Sequence, residues 1–131
     1  MIRVGIIGAT GYAGGELVRL LLGHKEAEIL WYGSRSYVDR KYAEIYQNMF
    51  QLVDASCLDD NMEAMAEQVD VIFTATPQGL CASLVNEDIT AFVLVFPPTE
   101  TDPYYYVLPH FWIPEENMER RVAKDHVPYN L

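Results

Sequence analysis

The sequence predicts an α/β fold, a doubly wound parallel sheet with helices on both faces, on three observations. The apolar runs Ile2–Ile7, Glu28–Gly33 and Val69–Ala75 are continuous rather than alternating, as in parallel strands buried on both sides. Between them apolar residues recur at helical spacing, so strands and helices alternate along the chain. The first run ends in glycines three apart, Gly8, Gly11 and Gly14. The domain is expected over residues 1–96, followed by an aromatic, proline-rich tail over 97–131 that is irregular apart from one short helix.

Ile2–Ile7 suits a buried strand and Tyr12–Leu22 a helix whose first free N–H groups point beyond the strand end, where an anion belongs. Gly8 permits the sharp turn, Gly11 lets the backbone approach a pyrophosphate, and Gly14 lets the helix sit close to the strand. The spacing is a variant of G-x-G-x-x-G with Thr10 at the second glycine. The plainer alternative is a well-packed Gly-rich turn that holds nothing. In the helix, Ala13, Leu17, Leu20 and Leu21 are expected to face the sheet. Gly23 ends it, and His24 reads as a charge at its negative end rather than a catalytic base.

The second strand, Glu28–Gly33, ends where dinucleotide folds place an acid for the adenosine ribose. No acid stands there. Ser34, Arg35 and Ser36 follow instead, about 20 residues after Gly14, the distance the fold expects. A guanidinium between two hydroxyls offers a fork for a 2′-phosphate, which selects NADP over NAD. The competing reading of Arg35 is a solvated loop charge. Asp39 is expected to cap a helix through Asn48 with Tyr42, Ile45, Tyr46 and Met49 along one face. Tyr37 and Lys41 match the Y-x-x-x-K pair of short-chain dehydrogenases, but they stand too early in the chain for that role.

Gln51–Ala55 is expected as a short third strand. Asp59 and Asp60 then introduce a helix with Met62, Met65 and Ala66 inward as core filler. Val69–Ala75 leads through Thr76-Pro77-Gln78-Gly79 into a helix bearing Cys81, Leu84 and Val85. Ligands of such sheets bind beyond the strand carboxyl ends, so the Gly8–Gly14 turn and the Ala75–Gly79 loop are expected to line one crevice. Cys81 shares an apolar face near a helix start and is a weak nucleophile candidate. Cys57 stands among Asp54, Asp59 and Asp60, which are expected to raise its pKa.

The net charge of −10 offers no basic stripe for nucleic acid or an anionic membrane. Two cysteines without paired spacing give no disulfide framework. With no leader-like segment and no spanning run, a soluble, cytoplasmic protein is expected. His110 and His126 lack metal-site spacing and lie in proline-rich surroundings read as exposed loops.

The ordered set VGIIGATGYAGGELVRLL, YGSRSY and DVIFTATPQG resembles the N-terminal domain of N-acetyl-gamma-glutamyl-phosphate reductase over about residues 1–88, and more distantly aspartate-semialdehyde dehydrogenase. GATGYAG alone also resembles extended short-chain dehydrogenases. The resemblance implies that Gly8, Ala9, Thr10, Gly11, Tyr12, Ala13 and Gly14 hold the NADP pyrophosphate. It implies that Ser34, Arg35 and Ser36 meet the 2′-phosphate, and that Ala75, Thr76, Pro77 and Gly79 lie near the nicotinamide. Gln78 stands where a histidine is common. The implied reaction is NADPH-dependent reduction of an acyl phosphate through a cysteine thioester in arginine biosynthesis. Its G-C-Y-P-T motif does not occur among these residues, and the substrate domain is absent, so no catalytic residue is assigned and the chain alone is expected to be inactive.

All eight glycines precede Ile89, whereas six of seven prolines and half the aromatics follow it. Ala91–Phe96 suits a fifth strand. Tyr104-Tyr105-Tyr106 and Phe111-Trp112 read as an extended arm, and Pro114 opens a short helix to Lys124. A truncation, frameshift or fusion would each explain the change. The tail aromatics are expected to cover the sheet edge or to meet a homo-oligomer partner or a missing substrate domain. The alternatives to a reductase domain are a non-catalytic NADP-binding module and a relic whose crevice holds nothing.

Overall fold

The computed structural model describes residues 1–76, 84, 89–95 and 110–112. In chain order these form β1 (Ile2–Ile7), α1 (Tyr12–Leu22), β2 (Ala27–Tyr32) and α2 (Tyr42–Ile45). A 3₁₀ turn (Gln47–Met49), α3 (Met62–Gln68), β3 (Val71–Thr74), β4 (Phe92–Val95) and β5 (His110–Trp112) follow. The strands lie in the order β2-β1-β3-β4-β5. The first four are parallel and β5 runs antiparallel to β4.

The strands alternate between two cores. Val4, Ile6 and Tyr32 pack with Val18 of α1, Tyr42 and Met49 on one face. On the other, Ile7, Trp31, Ile72 and Val93 pack with Met62, Met65 and Ala66 of α3. A continuous apolar strand supplies both faces at once, which is the doubly wound arrangement the sequence predicts. Gly5 lets α3 lie close, because a Cβ there would meet the Met65 side chain.

The inward face of α1 is Gly14, Gly15 and Val18, with Leu17 and Leu21 beside it. Ala13 is exposed and Leu20 is 56 % exposed, contrary to expectation. The glycines let the backbone itself approach the turn, rotating the helix toward a side that a count of apolar side chains misses. Past its end, His24 Nδ1 accepts from Glu26 N at 3.2 Å, which closes the turn into β2.

The expected helix from Asp39 to Asn48 is replaced by one turn of α2 and a 3₁₀ turn. Asp39 has φ +65°, left-handed and incompatible with the extended N-cap geometry. The cap position is Lys41, whose Nζ reaches the Asp54 carbonyl at 2.6 Å and carboxylate at 2.9 Å. This engagement takes Lys41 out of any pair with Tyr37. The strand expected at Gln51–Ala55 does not form either, since Gln51 at φ +64° leaves the extended region. Leu58 pairs with the end of β2 instead: Ser34 N donates to Leu58 O at 2.8 Å and Leu58 N to Tyr32 O at 2.9 Å. Asn61, not Asp59 or Asp60, caps α3, accepting from Ala64 N at 3.0 Å.

At the amino end of the sheet, Asp70 ties β3 to β1. Its carboxylate accepts from Arg3 N at 2.9 Å, Arg3 Nε at 3.1 Å and Arg3 Nη2 at 2.7 Å. Within the tail, His110, Phe111 and Trp112 form the edge strand β5, so His110 is not in a loop. Leu84, expected on the helix bearing Cys81, is helical; the expected helix from Pro114 and the residues Pro77, Gln78, Gly79, Cys81, Val85 and His126 lie outside the described residues. No helix among the described residues is long and apolar enough to cross a membrane.

Candidate functional site

The carboxyl ends of β1, β2 and β3 are level, with Ile6 opposite Tyr32 and Ile7 opposite Thr74. The glycine turn leaves β1 between the other two and is stitched to both. Gly33 N donates to Ile6 O at 2.8 Å and Ala9 N to Gly33 O at 2.7 Å. On the far side Ala75 N donates to Ile7 O at 2.9 Å, which puts Ala75 and Thr76 beside the turn. Gly8 has φ +75°, and a Cβ on it would strike the Ala75 carbonyl. A Cβ on Gly14 would strike Gly8 O and come within 2.7 Å of Ala9 Cα, so α1 starts against the turn. Among the described residues a Cβ on Gly11 meets only Gly8 O, at 3.5 Å. Nothing else among the described residues crowds the backbone there.

Two tyrosines hold the carbonyl side of this turn. Tyr42 OH donates to Ala9 O at 2.9 Å, and Tyr46 OH donates to Thr10 O at 3.0 Å and Gly11 O at 2.9 Å. Burial first, then the neighbouring Tyr46, Cys57 and Tyr32, pushes the Tyr42 phenol up, so it stays a protonated donor. Burial likewise pushes Tyr32 up to about 12. The first N–H groups of α1, at Tyr12, Ala13 and Gly14, stand before the intrahelical ladder begins. The N-cap Gly11 makes no side-chain cap bond, and an uncapped helix start carries the partial positive charge that binds anions. Tyr12 is 99 % exposed beside it.

Ser34 is buried and bonded to Thr10, Oγ to Oγ1 at 2.9 Å, and it accepts from Tyr37 N at 3.3 Å. It therefore joins the β2 loop to the glycine turn. Arg35 and Ser36 are exposed. Arg35 edges a cavity of about 470 Å³ lined also by Asp59, Asp60, Asn61, Met62 and Leu84. Adjacent to the turn, it has the size of a small-ligand pocket.

Asp60 joins cavity and turn. Its side chain is 8 % exposed, with Oδ2 3.7 Å from Arg35 Nε and Oδ1 accepting from Gly8 N at 3.3 Å. Burial pushes this carboxyl above its ordinary value, against the Gly8 N–H and the Arg35 charge, with Asp59 adding to the upward push. A segment folded back onto the end of β2 thus brings a buried carboxylate against the turn and Arg35. Periodicity gave no signal for Asp60; its place follows from Leu58 pairing with β2 and Trp31 Nε1 donating to Asp59 O at 2.8 Å. Tyr42 and Tyr46 were legible only as apolar helix positions.

Cys57 is fully buried in the core of α1 and α2, and desolvation, not nearby carboxylates, pushes its thiol up. It is no nucleophile. Among the described residues no group of His, Cys, Asp and Glu is placed to hold a metal.

A parallel sheet whose first strand enters a glycine turn and an uncapped helix defines a dinucleotide-binding α/β domain. The model of the semialdehyde dehydrogenase NAD-binding domain matches residues 3–96, and the chain belongs to that family. The chain is 76 % identical over 89 residues to the N-acetyl-gamma-glutamyl-phosphate reductase of Lachnospira eligens, covering 68 % of this chain and 26 % of the relative. It is 68 % identical over 95 residues to that of Lachnoclostridium phytofermentans, covering 72 % and 28 %. The chain thus spans about a quarter of the length of these relatives. The crystal structure of aspartate semialdehyde dehydrogenase with NADP from Candida albicans shares the fold, with a TM-score of 0.63 at 20 % identity, over 76 % of this chain and 30 % of that one.

Proposed function

We propose that this chain is the NADP-binding domain of an N-acetyl-gamma-glutamyl-phosphate reductase, which reduces an acyl phosphate to a semialdehyde with NADPH in arginine biosynthesis. The observation that carries the cofactor reading is the turn at Gly8–Gly14, stitched to β2 and β3, with tyrosine hydroxyls on its carbonyls and a helix start whose N-cap Gly11 makes no side-chain cap bond. Gly8, Ala9, Thr10, Gly11, Tyr12, Ala13 and Gly14 take the pyrophosphate. Arg35 and Ser36 take the 2′-phosphate, with Ser34 holding their loop to Thr10 rather than reaching the ligand itself. Ala75, Thr76, Pro77 and Gly79 are assigned to the nicotinamide side. When bound, NADPH supplies a hydride; the residues of this chain hold and orient its phosphates.

The hydride acceptor and the thiol that forms the thioester belong to a substrate domain, since no G-C-Y-P-T motif occurs here. The tail aromatics are assigned to the contact with that domain or with a second copy. Fluorescence titration of the chain with NADPH and NADH tests the cofactor reading, and NADPH is expected to bind more tightly. Arg35→Ala is expected to weaken NADPH roughly ten- to hundredfold, the worth of a charge-assisted phosphate contact, and to leave NADH within about twofold. Equal losses for both cofactors would refute the role of Arg35. No turnover of an acyl phosphate is expected from the chain alone.

A further inference from the structure

We infer that Asp60 is a positioning residue for cofactor choice, a fixed carboxylate that holds the Arg35 guanidinium at the mouth of the cavity. The inference rests on the NADP reading above and adds a residue to it. Asp60 cannot follow its partner: Trp31 holds the Asp59 carbonyl at 2.8 Å, Asn61 caps α3, and Leu58 is paired with β2. Room for the carboxylate exists because residue 33 is glycine, where a Cβ would come within 2.6 Å of Asp60 Oδ1. Oδ1 is anchored on Gly8 N of the turn, leaving Oδ2 for the cation.

Arg35 is the movable partner, with a side chain 61 % exposed. Among the described residues its recorded ion pair is with Asp60, through Nε at 3.7 Å. That separation is beyond hydrogen-bond length, so the carboxylate attracts the guanidinium without saturating it. The terminal nitrogens stay available for the paired bonds a phosphate takes. The carboxylate thus limits the positions of an exposed arginine, cutting the ordering cost at binding, and it does so only for a ligand that uses Arg35.

The test is a double-mutant cycle on the full 131-residue chain, titrating NADPH and NADH against wild type, Asp60→Asn, Arg35→Ala and the double variant. Asp60→Asn is expected to weaken NADPH about three- to fivefold, the range of a partly exposed ion pair, and to leave NADH within about twofold. In the Arg35→Ala background it is expected to leave the NADPH-to-NADH ratio unchanged. Asp60→Ser is expected to give the same ratio and replaces Asp60→Asn if that variant does not fold. Tighter NADPH binding would show Asp60 to be a competing anion and overturn the inference. Equal losses for both cofactors, an unchanged ratio in a discriminating wild type, or the same change without Arg35 would overturn it too. A wild type that binds neither cofactor would overturn the NADP reading itself, and this inference with it.

Discussion

The two ends of the sheet carry the same trio, a carboxylate, a guanidinium and a backbone N–H, built to opposite effect. At the amino end Asp70 is 44 % exposed and takes Arg3 through two guanidinium nitrogens and a backbone N–H, all within 3.1 Å. At the carboxyl end Asp60 is 8 % exposed and takes Arg35 at 3.7 Å and Gly8 N at 3.3 Å. The first carboxyl is held down to about 2, by the Arg3 side-chain bonds first. The second is pushed up, by burial first. Short, saturated contacts in water make a clamp that wants no other partner. Longer contacts from a buried carboxylate leave an exposed cation with unspent donors, as a ligand site requires.

The largest effects are expected at the carboxyl end, because there the backbone itself is constrained. Gly8→Ala forces a side chain onto φ +75° and into the Ala75 carbonyl. Left-handed strain and overpacking together are expected to cost about 2–5 kcal/mol, read from urea unfolding, and to abolish the NADPH signal. Arg3→Ala at the opposite end removes an exposed ion pair and is expected to move the urea midpoint far less than Gly8→Ala does. If the arginine variant proves as damaging as the glycine one, the division into a constrained end and a clamped end fails.

Next in size is Tyr42→Phe, which leaves the buried Ala9 carbonyl without its donor. A loss of about 1–2 kcal/mol in stability is expected, together with weaker NADPH binding as the turn loosens. Tyr46 is less buried than Tyr42, so water can replace its hydroxyl. Tyr46→Phe is therefore expected to weaken NADPH binding with a smaller loss of stability. Equal stability losses for the two variants would show that burial does not separate them.

This division also marks what the sequence discloses. β1, α1, β2 and the inward methionines of α3 were legible because apolar runs and helical spacing are local signals, and the Gly8–Gly14 turn because each glycine has a local geometric duty. The stretch from Asp39 to Asp60 was not. Its course depends on two non-glycine residues with positive φ, Asp39 and Gln51, and on Leu58 pairing with Gly33, at the end of a strand some 25 positions earlier. Periodicity therefore read Tyr42 and Tyr46 as core positions and Asp60 as a helix entry. All three are hydrogen-bonded to the glycine turn, and only tertiary folding brings them there.

The smallest effect separates the two carboxylates by sign. For Asp70 the folded value lies below the ordinary 3.8, at about 2. The unfolded chain then binds more protons between those values, and stability rises with pH from about 2 to about 4. Glu16, held down by its hydrogen bond to Arg19, adds to the same arm. For Asp60 the folded value lies above 3.8. The folded chain binds more protons there, and stability falls as pH rises from the ordinary value to the raised one. Asp70→Asn is accordingly expected to flatten the acid arm below about pH 4 and leave the region above it alone, whereas Asp60→Asn flattens the fall above it. Urea midpoints at closely spaced pH values measure both slopes. Identical profiles for the two variants would mean that the ends of the sheet do not differ electrostatically, whatever their geometry.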